Sequence, residues 1–286
     1  MTSVDTAFAD RYGPWAVVAG ASEGVGAAYA RAVAERGLNV VLLARRQAVL
    51  DEVAGAIRSE VGVETRAVAV DLAADGAMRA IVAATEGLDV GMLMYCAGAD
   101  PNYEPFLANP VEVALGMVQR NCLMPMQLCH HFAGPMVARA RGGIVLVSSG
   151  AGLAGGQNMV AYGASKAFDM VMAEALWAEL HDKGIDVLGL VLSVTDTPAL
   201  RRILAKRGVL SSSDDASQIP GATSAVDTAA EAIANLQNGP TWFVSEDFRN
   251  NEAMMRSMSR NDIVRAMLQN AGGIMGKDSD AAEAAS

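Results

Sequence analysis

The sequence predicts one α/β domain, a doubly wound parallel sheet of about seven strands with helices on both faces. Three observations predict it. Short β-branched runs alternate with longer amphipathic segments. The runs are continuously apolar, which marks strands covered on both faces. The chain has 286 residues, 52% hydrophobic and only 5% aromatic, which suits a single large core of aliphatic side chains. Strands and helices in strict alternation require parallel pairing through right-handed crossovers.

The elements follow in order. Strands are expected at 15–19, 39–44, 65–70, 90–95, 143–148, 186–192 and 241–244. Helices are expected between them at 25–36, 47–60, 76–86, 111–139, 162–182 and 226–235. Between 200 and 223 the pattern weakens, and the polar run at 211–215 reads as a loop near the substrate. Residues 251–269 form a helix rich in Met (Met254, Met255, Met258, Met267), suited either to an irregular apolar ligand or to ordinary packing. The domain is expected to span 1–270, and the small polar tail 271–286 to be disordered.

A formal net charge of −10 argues against a nucleic-acid or anionic-membrane partner, each of which needs a basic surface. No apolar run approaches the roughly 20 residues that span a bilayer. No secretory signal opens the chain. Cys96, Cys122 and Cys129 are odd in number and lack metal-ligand spacing, so the expectation is a reduced, cytoplasmic protein without a metal. His130 and His131 have no ligand partners at suitable spacing and read as helix-surface residues.

The turn after the first strand carries Gly20, Ser22, Glu23, Gly24, Val25 and Gly26, spaced G-x-x-x-G-x-G. Such glycines let a backbone approach a pyrophosphate at a helix N-terminus, although they can equally form a tight turn. The second strand runs into Arg45 and Arg46, where a carboxylate would hold the ribose of NAD. A guanidinium there suits the 2′-phosphate of NADP, so NADP is expected over NAD, with Arg45 as clamp and Ser22 as a hydroxyl donor. Both arginines can also be plain surface cations, and Glu23 adds negative charge nearby. Asp71, after the third strand, suits either an adenine amine or an N-cap.

Ser149, Tyr162 and Lys166 carry the chemistry. Tyr162 and Lys166 are four apart on one helix face. A phenol titrates near about 10 and is a poor base at neutral pH. A neighbouring ammonium favours its ionised form, which fits it to exchange a proton with a substrate oxygen while hydride moves. Ser149 ends a strand at the carboxyl rim, where such sheets bind ligands.

In GASEGVG, LLARR, the Asp71-Leu72 pair, CAG at 96–98, Asn121, VSSGAGL and YGASK, the chain resembles the short-chain dehydrogenase/reductase family over about 13–245. Within it, GPWAVVAGASEGVGAAYARAVAERGLNVVLLARR, VETRAVAVDL and LDVGMLMYCAG look most like the very-long-chain 3-oxoacyl-CoA reductase and 17β-hydroxysteroid dehydrogenase branch. The resemblance implies a Rossmann-like fold and a site of Asn121, Ser149, Tyr162 and Lys166, with Asn121 holding a water-linked relay to Lys166. It also implies cofactor contacts from Leu72, Ala97, Gly98, Thr195 and Thr197, and a homodimer or homotetramer. Ala19, Tyr95-Cys96 and Leu192-Ser193 depart from the family's usual Thr, Asn-Asn and Pro-Gly. The expected activity is interconversion of a secondary alcohol and a ketone on an apolar steroid or fatty-acyl substrate. A non-catalytic NADP(H) sensor is the rival reading, and a Rossmann-type methyltransferase would have no use for the Tyr–Lys pair.

Overall fold

The computed structural model describes residues 5–100 and 102–275, with side chains through Gln269. A short helix not anticipated from sequence, α1 (Thr6–Tyr12), precedes the first strand and is capped by the Asp5 carboxylate. Then come β1 (Trp15–Ala19), α2 (Gly24–Ala34), β2 (Asn39–Ala44), α3 (Gln47–Val61), β3 (Thr65–Ala69), α4 (Ala77–Thr85) and β4 (Val90–Tyr95). The second half holds α5 (Val111–Val118), α6 (Met124–Ala138), β5 (Gly142–Ser149), α7 (Val160–Leu180), β6 (Ile185–Leu192), β7 (Thr195–Asp196) and α8 (Pro198–Lys206). It ends with β8 (Thr223–Ser224), α9 (Ala225–Ala234), β9 (Thr241–Phe243), α10 (Glu246–Met255) and α11 (Arg260–Met275).

Seven strands form one parallel sheet in the order β3-β2-β1-β4-β5-β6-β9. The chain winds outward from β1 to β3, then restarts at β4 on the other side of β1. That reversal opens a crevice beyond the carboxyl ends of β1 and β4. Successive strand residues face opposite sides. Val18, Leu42, Met94 and Val147 join a core with α2, α3 and α9, whereas Val17, Leu43, Leu93 and Leu146 join one with α4, α6 and α7. Burial on both faces explains why the strands read as unbroken apolar runs.

Four expectations need correction. The long helix expected at 111–139 is interrupted by a π-helical segment, Gln119–Leu123, between α5 and α6. The supposed loop 200–223 begins inside α8, where Thr197 caps the helix and Pro198 occupies its first turn. The Met-rich helix is two helices, α10 and α11, broken at 256–259. The second runs to Met275, so the expected tail at 271–286 starts as helix, and 276–286 lies outside the described residues. Among the described residues no helix is long and apolar enough to cross a membrane, and no His, Cys, Asp or Glu group could hold a metal ion.

Candidate active site

The crevice is built first by glycines. Gly20 follows β1 with a φ of +87°, and a Cβ there would sit 2.7 Å from the Ala97 nitrogen after β4. A Cβ on Gly26 would sit 2.1 Å from the Gly20 carbonyl oxygen. Gly98, with a φ of +128°, leaves room for the Asn121 carboxamide, which a Cβ would approach to 2.7 Å. These three glycines therefore serve the protein's own close packing as well as any ligand. Gly24 lies beside the Thr197 methyl, and Val25 is buried behind it.

Three features here fit a dinucleotide. No side chain caps α2, because Glu23 makes no capping bond, so first-turn N–H groups remain for an anion. The Glu23 carboxylate is instead gripped by Arg46 (2.6 Å) and by Arg202 from α8. Burial works against the charge of Glu23, and the two guanidiniums outweigh it and hold its carboxyl below the usual range. Arg45 is exposed and makes no ion pair among the described residues. At the other end, the Ser193 hydroxyl after β6 is buried without a hydrogen-bond partner, a polar group suited to an amide.

The remaining cofactor-side residues are placed as follows. Ser22 is half-buried in the glycine turn. Asp71 accepts a hydrogen bond from the Ala73 N–H at 3.0 Å and so closes a local turn, while Leu72 is buried. Thr195 packs its hydroxyl against Thr223 in the β7–β8 pair, and Thr197 caps α8. Arg120, which sequence reasoning missed, lies in the π segment, donates to the Ala99 carbonyl (3.1 Å) and feels the charges of Arg45 and Asp71.

Ser149, Tyr162 and Lys166, expected from sequence to carry the chemistry, lie on β5 and α7. Ser149 ends β5, half-buried, and its hydroxyl accepts from the Ala151 N–H. Tyr162 is half-buried and lines an open cleft with Asp100, Asn102, Met117 and Asn158. Lys166, one turn on, is buried, and its amine donates to the Val147 carbonyl at 2.8 Å and to Asp169 at 3.0 Å. The Ser148 hydroxyl donates to the Lys166 carbonyl (2.6 Å), which ties this turn of α7 to β5. Burial works against the ammonium, yet Asp169 and Tyr162 outweigh it and hold the amine above its ordinary value. Asn121 is fully buried; its amide donates to the Gly98 carbonyl and the Ser165 hydroxyl. Its side chain makes no hydrogen bond to Lys166 among the described residues. Asp169 was missed in the sequence, where its only signal was a carboxylate three positions after Lys166 in an otherwise apolar stretch.

A glycine turn at the switch point, with Ser149 at the end of β5 and Tyr162 and Lys166 on the helix that follows, fits a nucleotide-dependent α/β oxidoreductase. The short chain dehydrogenase family model matches residues 14–208, and the chain belongs to that family. A 7beta-hydroxysteroid dehydrogenase of Collinsella aerofaciens is 37% identical over 191 residues, 67% of this chain and 72% of that one. A very-long-chain 3-oxoacyl-CoA reductase of Macaca fascicularis is 35% identical over 178 residues, 61% of this chain and 57% of that one. A solved 7beta-hydroxysteroid dehydrogenase superposes with a TM-score of 0.82 at 30% identity, covering 91% of this chain and 98% of its own. A short-chain dehydrogenase from Sphingobium yanoikuyae, solved in complex with NADPH, gives 0.72 at 25% identity, with coverage of 86% and 96%.

Proposed function

We propose that the protein interconverts a secondary alcohol and a ketone on a bulky apolar substrate of the hydroxysteroid type, using NADP(H) and Tyr162 as the proton-transferring group. The observation that carries this reading is the buried Lys166 amine on the Tyr162 face of α7, fixed by a strand carbonyl at the carboxyl rim. When bound, the cofactor supplies or accepts hydride. The chain's own residues do the rest. Ser149 donates a hydrogen bond to the substrate oxygen and orients it. Tyr162 takes the hydroxyl proton in oxidation and returns it in reduction. Lys166 stabilises the phenolate by its positive charge. Asn121, spent on Gly98 and Ser165, braces the π segment beneath the site; π segments recur at functional sites.

Arg45 would hold the 2′-phosphate, with Ser22 as donor, while the α2 N-terminus with Gly20, Gly24 and Val25 takes the pyrophosphate. Asp71, Leu72, Ala97 and Gly98 line the adenine side, and Thr195 and Thr197 the amide side. The substrate class follows from the similar hydroxysteroid enzymes and from the apolar side chains that α10 and α11 bring to the segment after β5. Phe248 of α10 reaches Gly150 beside Ser149, and Met267 of α11 and Met159 both reach Gly156. Flexible thioethers and a phenyl ring suit a rigid apolar ring system better than a sugar. Three cysteines without disulfides fit the reducing cytoplasm. The exposed apolar faces of α5 and α7 are read as the contact with a second copy.

The test is NADPH oxidation against a panel of keto-steroids and 3-ketoacyl thioesters, wild type beside Tyr162→Phe. Removing a general acid costs about 100-fold or more. Equal rates in the two proteins would sink the mechanism, and cofactor binding without turnover on every panel member would leave a sensor.

A further inference from the structure

Lys166 is buried within reach of the Tyr162 charge, and burial disfavours an ammonium. Its surroundings show what compensates. Tyr162 faces it from its own helix and Cys96 from the end of β4, and Val147 of β5 offers a carbonyl. Around Asp169 stand Tyr95 of β4, Cys122 of the π segment and Cys129 of α6. Burial pushes the Cys96 and Cys129 thiols up to about 12 and raises Cys122 and Tyr95 as well. All four are therefore neutral at working pH. Among these groups Asp169 is the one carboxylate, 1% exposed and 3.0 Å from the amine.

We infer that Asp169 is a positioning residue acting through Lys166, a built-in counter-ion that keeps the buried amine protonated and, together with the Val147 carbonyl, fixes two of its three N–H bonds. The inference rests on the reading of Tyr162 and Lys166 given above. Stability alone does not account for this carboxylate. A buried ion pair is usually no better than a packed apolar side chain, and the second oxygen, Oδ1, is buried with no hydrogen-bond partner. With Val147 and Asp169 holding two donors, one N–H remains for the Tyr162 side of the site.

The chain has four lysines, so the Cε shifts of selectively labelled lysine can be titrated one by one in the full chain, with Lys166→Arg giving the assignment. In the wild type, Lys166 should lose its proton at higher pH than exposed Lys183. In Asp169→Asn, which keeps the shape and an acceptor oxygen, the Lys166 midpoint should fall by roughly 2 pH units. The alkaline limit of kcat/KM for alcohol oxidation should fall with it, because the reaction needs the ammonium. A merely structural role would lower Tm or kcat and leave both pH curves in place. A wild-type midpoint at or below that of Lys183 overturns the inference even if the variant does not fold, as does an unchanged midpoint in a folded variant. Tyr162→Phe losing turnover while the lysine titrations coincide overturns the counter-ion role alone. Tyr162→Phe turning over like the wild type overturns the underlying reading of the site.

Discussion

Arg45 and Arg46 are neighbours in sequence with opposite situations. Arg46 is paired with Glu23 and Arg45 is not, so only Arg45 has its guanidinium available for a phosphate. Arg45→Ala should weaken NADPH binding by about 10–100-fold, the worth of charge-assisted hydrogen bonds, and NADH much less. Calorimetry with both cofactors checks this, and equal losses would remove the phosphate clamp. The sequence made Glu23 look like a rival charge at the same place. Its capture by Arg202 depends on α8, 179 residues away along the chain, and no local pattern reports that. Ser149, Tyr162 and Lys166 were legible because their relation is local, a strand end followed by one helical turn. Asp169 was hidden by its company, since Phe168 and Met170 on either side make the stretch look like plain core. The Ser193 hydroxyl was seen only as a departure from Pro-Gly, and its unpartnered burial is a three-dimensional fact.

At the scale of elements, strands with residues buried on both sides were readable to the residue: β1, β2 and β4 have the bounds expected from the sequence. The π segment was not, because its extra residue shows in the sequence only as one five-residue step, Val118 to Leu123, in an otherwise helical apolar spacing. Helix α8 was overlooked although Thr197-Pro198 announces a capped start. A very close approach between elements is where α2 meets the turn after β1, at Gly26. Gly26→Ala would drive a methyl to 2.1 Å from the Gly20 carbonyl, backbone against side chain, with nothing flexible to yield. Overpacking of this kind costs about 3 kcal/mol or more, which should lower Tm by roughly 6–12 °C and impair cofactor binding. Gly55→Ala is the control, since its added Cβ meets only the tip of Arg58 at 4.0 Å; in the middle of α3 it should be neutral or stabilising. Similar melting temperatures for the two variants would contradict this account of the turn.

The whole molecule presents one unusual surface. Val111, Leu115 and Val118 of α5 are exposed, and after the extra residue of the π turn the stripe continues through Leu123 and Met126. Helix α5 packs beside α7, on which exposed Val160, Ala164, Val171, Ala175 and Ala178 recur at helical spacing, with Glu179 the exposed charge at its end. A continuous apolar face of this kind marks an interaction site. Its small residues let a second helix approach closely, and a two-fold axis through it would pair α5 and α7 with their own copies. A formal charge of −10 on each chain opposes that approach, and salt screens the repulsion. Sedimentation should therefore report a dimer, or a tetramer built from it, that tightens as salt is raised. Val171→Glu and Leu115→Glu would each bury a carboxylate in the contact and should release single chains. Tyr162 and Lys166 stand on the same helix α7, so the single chains should also lose activity as α7 loses its outer support. A wild type that sediments as one chain at all salt concentrations, or glutamate variants that assemble like it, would show that this face has another use.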